Sequence, residues 1–259
     1  SNFYCPVNTV GLYTLTRREI MRFLRVPFQT LGQPIVTTLL YFAVFGLSVG
    51  RFVGEIEGLP YIQFIMPGLI MMNLLTTAFG GISSGFLFQK LMGTISDLLV
   101  SPLSYLEIIL GFTLSSVIRS ILTALLIYGT ALFFLPFEIQ HPFYLLTITI
   151  LVAFAFSLLG LICGVWAENF EQISFAPTFI LMPLSFLGGI FYSIKMLPPL
   201  FQTLSHLNPL FYMINSMRYG FYGVSDVDPW LSMGLLTLFS IALTLCTVYL
   251  FRVGYKIRN

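Results

Sequence analysis

Charge is what this sequence is short of. Of its 259 residues only 8% are Asp, Glu, Lys or Arg, against roughly 25% in a soluble domain. Hydrophobic residues make up 57% and the mean hydropathy is +0.93. Such a chain cannot cover itself with polar surface, so a water-soluble globular class is excluded and lipid must be a solvent. The net charge of +2 offers no basic field for a polyanion, so nucleic acid is not expected as a partner. Cysteine is equally scarce. Cys5, Cys163 and Cys246 lie far apart, with no CxxC or Cys/His cluster, which leaves a disulfide framework and a zinc site unsupported. No GxxxxGK[ST] is present, so this chain does not itself cradle ATP phosphates in a P-loop. HExxH, GxSxG and paired histidines are missing too. His141 and His206 are isolated and read as interfacial residues rather than ligands. The opening residues, Ser1 to Gly11, lack a basic segment followed by an apolar core, so insertion is expected to use the first true span. No ladder of carboxylates runs along an apolar stretch, and a proton relay is therefore not visible.

What is present is a series of long apolar runs, enough for six spans of about 20 residues with short connections. Span 1 is expected over 31–49 and span 2 over 61–87, with Pro67-Gly68 as a kink near its outer end. Span 3 follows over 108–135, span 4 over 143–166 and span 5 over 173–194, the last bent by Pro177, Pro183 and Gly188-Gly189. Span 6 covers 230–251. The run from Lys195 to Asp228 is apolar but broken by Pro198, Pro199, Asn208, Pro209 and Gly220. Each piece is too short to cross about 30 Å of hydrocarbon, so two short re-entrant or interfacial helices are expected on the outer side. Such backbone is tolerated only where protein or water satisfies its polar groups.

Ahead of span 1, Arg18, Arg22 and Arg25 share one helical face, while Leu12, Leu15, Ile20, Phe23 and Leu24 fall mostly on the other. This reads as a basic amphipathic helix in the interface plane, its arginines among lipid phosphates. It is either a plain positive-inside anchor or a functional elbow. The distribution of cations sets the orientation. Arg17, Arg18, Arg22, Arg25, Lys90, Arg252, Lys256 and Arg258 fall inside; Arg51, Lys195 and Arg218 fall outside; Arg119 lies within span 3. Both termini are thereby placed in the cytoplasm.

The most polar interruption between two apolar runs is Gly93 to Gly111, GTISDLLVSPLSYLEIILG. Ile95, Leu98, Leu99, Pro102, Leu103, Leu106, Ile109 and Leu110 recur at three- and four-residue steps, one face of a helix. Thr94 followed by Asp97 reads as a capping box, and Pro102 is expected to break or kink the helix. Nothing in its own loop covers the apolar face. It either lies on lipid or docks a second protein. Arg119 is costly at membrane depth. It is either an inward-facing residue, paired with Glu168 or Glu171 or lining a polar path, or it snorkels to the cytoplasmic face. Tyr41, Phe42 and Phe45 form an aromatic cluster in span 1, either packing and lipid-facing surface or part of a substrate path.

Together these features resemble the ABC-2 type permease family, the membrane subunits of ABC exporters. Gly93–Gly111 resembles the family's cytoplasmic coupling segment, with its small-residue start, central Ser101-Pro102 and closing Gly. Leu207-Asn208-Pro209-Leu210 through Met217-Arg218-Tyr219-Gly220 resembles the late Asn-Pro, then Arg, motif before the last span. Pro183 to Gly189, followed by Phe191-Tyr192, resembles the small-residue bend of the fifth span. The resemblance implies an all-α polytopic fold over 1–259, one transmembrane domain in the inner membrane of a bacterium. It also implies a homodimer bound to two copies of a separate ATPase, with ATP and Mg held by that partner and no cofactor on this chain. The ATPase would dock on Thr94, Ile95, Asp97, Leu98, Leu99, Ser101, Pro102 and Leu103. The cargo would be a lipid-linked, glycan or amphipathic drug-like molecule moved outward. An ion-gradient-driven secondary carrier or channel is the alternative. A membrane-embedded lipid enzyme would need a cluster of catalytic polar residues at one depth, and none can be assembled.

Overall fold

A computed structural model describes residues 8–134 and 138–254; Cys5, Pro136, Lys256 and Arg258 lie outside the described residues. Among the described residues the chain is all-α apart from one hairpin of two-residue strands, Glu55–Ile56 with Leu59–Pro60. Among the described residues, six helices are long and apolar enough to cross a membrane. In chain order the elements are α1 (Thr9–Leu24), α2 (Phe28–Val53), α3 (Tyr61–Leu91), α4 (Thr94–Val100), α5 (Tyr105–Leu132), α6 (Pro142–Trp166), α7 (Phe170–Leu187), α8 (Pro199–Leu207), α9 (Pro209–Tyr222) and α10 (Pro229–Val253). The spans are α2, α3, α5, α6, α7 and α10, in the places the apolar runs require.

The bundle is built around α3. In its most apolar 18-residue window 83% of residues are buried, against 11% in α2 and 17% in α7. Lipid tails are as apolar as Leu, so helices associate in a membrane by close packing and polar contacts rather than by escape from water. The contact of α3 with α6 shows how. A Cβ added to Gly160 would meet the Phe79 carbonyl oxygen at 2.5 Å, and one added to Gly164 the Ser83 carbonyl at 3.0 Å. Only glycine lets these backbones approach so closely. Hydroxyls along the spans are satisfied locally, as Thr113 donating to the Ile109 carbonyl (2.6 Å) and Ser120 to Ser116 (2.8 Å) illustrate. A few cross between helices: Ser116 to the Ala78 carbonyl at 2.9 Å, and Asn73 Nδ2 to Thr38 Oγ1 at 2.8 Å.

The connections sort to two ends. At one end α1, α4, the start of α5 and Phe251 of α10 meet, and Lys90 donates to the Val165 and Ala167 carbonyls at 2.8 and 3.1 Å. At the other end α9 lies beside the start of α6. Gln140 and His141 donate their backbone N–H to Phe221 and Gly220 at 3.0 Å, and Tyr144 Oη donates to the Pro229 carbonyl at 2.8 Å. The segments assigned to one membrane face by charge therefore do come together.

Two expectations need correction. Span 5 ends at Leu187, not at residue 194: Gly188 and Gly189 close the helix, Gly189 at φ +83°, a turn only glycine takes without strain. Inside α7, Pro177 lies in a widened turn over Ala176–Leu181, as expected where a ring removes an amide donor. Helix α3 stays helical through Pro67. Thr94 and Asp97 do not form a capping box: Gly93 takes the N-cap with φ +74° and offers no side chain, while Thr94 Oγ1 donates to the Gln89 carbonyl at 3.2 Å. The reciprocal box lies ten residues on. Ser104 Oγ accepts from the Glu107 N–H (3.3 Å) and Glu107 Oε2 accepts from the Ser104 N–H (2.6 Å). Pro102 sits in the extended linker between the two helices and so separates α4 from α5.

Candidate coupling platform and buried arginine cluster

The helix α4 is amphipathic, but its apolar face is covered from within. Ile95 and Leu98 are buried in a cluster with Leu15 of α1, Phe86 of α3, Phe112 of α5 and Phe251 of α10; Leu99 and Leu103 pack at its edge. Phe86 sits edge-on to both Phe112 and Phe251, with centroids 5.4 and 6.0 Å apart. Burial of Ile95 and Leu98 ties α4 to four other helices, three of them spans. What remains outward is Thr94, Ser96, Asp97, Val100 and Pro102, flanked by Leu91 and Met92. Val100 is 86% exposed. Ser101 Oγ donates to the Leu98 carbonyl at 2.6 Å and closes the helix end.

Helix α1 does not lie apart from the bundle with its arginines all facing outward. It runs parallel to the start of α5 and antiparallel to the end of α3: Asn8 meets Glu107, Leu15 meets Gly111, and Arg18 and Arg22 meet Gln89 and Gly85. Its buried residues are Leu15, Glu19 and Phe23, while Leu24 is exposed. Glu19, which pattern reading passed over because a carboxylate breaks the apolar stripe, holds the helix in place. Its carboxylate pairs with Arg22 at 2.8 Å and Arg18 at 3.2 Å, and accepts from Gln89 Nε2 at 2.8 Å. Arg18 also donates to Gln89 Oε1 (2.8 Å) and Arg22 to the Gly85 carbonyl (3.2 Å). Glu107 does similar work at the helix starts: its two oxygens accept from the N–H groups of Asn8 (2.5 Å) and Ser104 (2.6 Å), which are the N-caps of α1 and α5. Arg25 and Arg17 stay exposed.

Arg119 is half-buried on α5, its guanidinium 5.7 Å from the centroid of the Phe23 ring. It lines a cavity of about 20 Å³ with Glu19, Arg22, Ser115 and Ser116; neither Glu168 nor Glu171 lines it. Its Nε is buried and has no hydrogen-bond partner. The aromatic cluster of span 1 is joined by residues far along the chain. Phe45 lies 4.5 Å and Tyr41 5.9 Å from Phe191, and Phe186 stacks on Phe191 at 5.5 Å; Phe42 points into the core.

At the opposite end, Lys195 pairs with Glu57 at 3.0 Å and with Asp226 at 3.8 Å, and Ser193 donates to both carboxylates. The Lys195 ammonium holds the Glu57 carboxyl below its usual range, and the carboxylate in turn raises the Lys195 ammonium. Arg218, counted from sequence as an outside charge, is 1% exposed. It donates to the Gly189 carbonyl at 2.8 Å and lies 3.9 Å over the Phe64 ring. Asn208 caps α9 by accepting from Leu210 N–H (3.0 Å) and donates to the Leu184 carbonyl (2.7 Å). The Asn-Pro and Arg positions therefore fasten α8 and α9 to the end of α7. Among the described residues no group of three or more His, Cys, Asp or Glu is placed to hold a metal ion.

Residues 10–222 match the family model described as ABC-2 type transporter. Inner membrane transport permease YadH of Escherichia coli K12 is 42% identical over 250 residues, covering 96% of this chain and 98% of that protein. Nodulation protein J of Sinorhizobium fredii NGR234 is 28% identical over 199 residues, 76% of this chain and 75% of that one. Nodulation protein J of Rhizobium meliloti 1021 is 24% identical over 197 residues, with the same coverage.

Proposed function

Since this chain belongs to the ABC-2 type transporter family, we propose that it is the membrane subunit of an ATP-driven exporter working as a homodimer with two copies of a separate ATPase. The chain is a multi-pass transport subunit of that family and not itself the ATPase. In the proposed complex ATP and Mg sit on the partner. This chain lies in a bacterial inner membrane with both termini inside, and the cargo is a lipid-linked, glycan or amphipathic drug-like molecule moved out of the cytoplasm or the inner leaflet.

One observation carries the reading: a short helix clamped on its inner face by three spans and α1, with a polar-rimmed outer face centred on Val100 and Asp97. Closure of the ATPases would press on Thr94, Asp97, Val100 and Pro102. Ile95, Leu98, Leu99 and Leu103 would pass that movement to α3, α5 and α10 rather than enter the partner's groove themselves. In this reading sparsely covered α2 and α7 are the faces that meet a second copy, and Tyr41, Phe45 and Arg119 are candidates to line the path between subunits.

The test is a pull-down of the tagged chain from gently solubilised membranes. A stoichiometric P-loop ATPase is expected, with transport-coupled ATP hydrolysis falling at least tenfold in Val100→Asp while the variant stays folded. A folded dimer that repeatedly brings down no ATPase would refute the reading and favour an ion-driven carrier.

A further inference from the structure

We propose that Arg22 and Arg119 form a binding site for the phosphate headgroup of an anionic amphiphile, entered between α1 and the glycine-rich part of α3. The proposal rests on the reading of this face as part of the transport path, and its first test involves no ATPase.

Charge imbalance is the starting point. Arg18, Arg22 and Arg119 gather around one carboxylate, Glu19, so three cations face one anion. Both oxygens of that carboxylate are occupied: one by Arg22, the other by Arg18 and Gln89. Arg119 gains nothing from it directly. Its Nε is buried without a hydrogen-bond partner, and the like-charged Arg22 lines the same cavity. A cation held this way in an apolar bundle is costly unless an anion or water completes it. The cavity, about 20 Å³, takes a single water and no more. Ser115 and Ser116 spend their hydroxyl protons on the Phe112 and Ala78 carbonyls, so they donate nothing to a ligand there.

The helix α3 is shaped for the two guanidinium groups. A Cβ on Gly81 would lie 2.7 Å from Arg119 Nη1, and one on Gly85 would overlap the Arg22 guanidinium. Beside them Gly80 faces open space, with nothing within 4 Å of an added Cβ. Arg22 keeps 39% of its side chain exposed. The exposed part of Arg22 gives a headgroup oxygen an approach to the edge of the cavity, whereas a whole phosphate does not fit inside. Two forked donors at one opening suit the oxygens of a phosphate. The surroundings are apolar: Phe23 and Phe112 line the cavity, and Met21 and Leu24 stand exposed nearby on α1. That favours a phosphate attached to a hydrocarbon chain over a free ion.

The test uses the full chain purified in dodecyl maltoside and stripped of lipid, with dioleoyl phosphatidic acid, dioleoyl phosphatidylcholine and inorganic phosphate as probes. Binding is read by native mass spectrometry and by the shift in thermal midpoint. Phosphatidic acid is expected to bind at least tenfold more tightly than phosphatidylcholine, and inorganic phosphate to give no shift at the same concentration. Arg119→Gln should lower phosphatidic acid affinity about tenfold, Arg119→Lys should keep part of it, and Arg17→Gln on the exposed face of α1 should change nothing. Should Arg119→Gln not fold, Arg119→Lys decides by an intermediate or an unchanged affinity. Unchanged binding in the Arg119 variants, or an equal loss in Arg17→Gln, overturns the site. Equal protection by inorganic phosphate overturns the amphiphile. Loss of binding with the ATPase still captured, or the reverse, separates this proposal from the transporter reading.

Discussion

Replacing Glu19 by Ala tests whether a buried carboxylate, rather than lipid, holds α1 in place. The side chain is 3% exposed and makes three short polar contacts, two of them to arginines that are 50% and 39% exposed. Breaking a fully buried ion pair by removing one partner costs about 3–5 kcal/mol. Here the guanidinium groups can be rehydrated in part, which removes about half of that figure. The lost Gln89 bond to a charged acceptor adds about 1 kcal/mol after the same discount. The expected destabilisation is therefore about 2.5–3.5 kcal/mol, with Glu19→Gln losing less because its amide oxygen still accepts from Gln89. Thermal unfolding in detergent measures the total, and a double-mutant cycle with Gln89→Ala measures the coupling, expected near 1 kcal/mol. Limited trypsin digestion reads the local event, since release of α1 exposes Arg17, Arg18, Arg22 and Arg25 to faster cleavage. Glu19→Ala within about 0.5 kcal/mol of the parent, with unchanged cleavage, would refute the claim that this carboxylate anchors the helix.

Ser104→Ala removes the capping-box hydroxyl and should cost about 1 kcal/mol; Glu107→Ala should cost more, because the N-caps of both α1 and α5 lose an acceptor, and thermal midpoints should rank the two in that order. Gly160→Val forces apart backbones that an added Cβ already brings to 2.5 Å, so a loss of at least about 1–3 kcal/mol, or no folded protein, is expected by size-exclusion and thermal unfolding; tolerance would mean that α3 and α6 are further apart. The pair of Glu57 and Lys195 predicts a flat pH response across neutrality. Glu57, held low, contributes stability above the unfolded carboxylate value of about 4.3 and loses it as pH falls through the lower folded value. Lys195, held high, contributes below about 10.4 and loses it as pH rises through the higher folded value. A thermal midpoint scanned between pH 3 and pH 11 should droop at both ends, and Lys195→Ala should reduce both slopes.

Much of this architecture was written in the local pattern. Apolar runs locate the six spans, since backbone groups in hydrocarbon leave a helix few alternatives. The breakers Pro198, Pro199 and Pro209 mark α8 and α9 as short. The scarcity of charge determines the class, and the order of Ser101-Pro102, Asn208-Pro209 and Arg218 marks the family. Tertiary contacts decided the rest. Whether Ile95 and Leu98 face lipid, a partner or their own chain depends on where α1, α3, α5 and α10 arrive, and periodicity carries no partner's address. The sequence rule that a carboxylate breaks an apolar face fails at Glu19, because Arg18, Arg22 and Gln89 converge on it from two helices 70 residues apart. Arg218 reads as an outside charge by position and becomes one of the most deeply buried side chains, since the Gly189 carbonyl and the Phe64 ring replace its water. Capping shows the same division on a smaller scale. Thr94 and Asp97 have the right spacing, but Gly93 adopts a left-handed turn and the box forms at Ser104 and Glu107 instead, where the linker is extended and Asn8 supplies a second donor. Spacing along one helix determines which residues share a face; only the approach of other elements determines what that face meets.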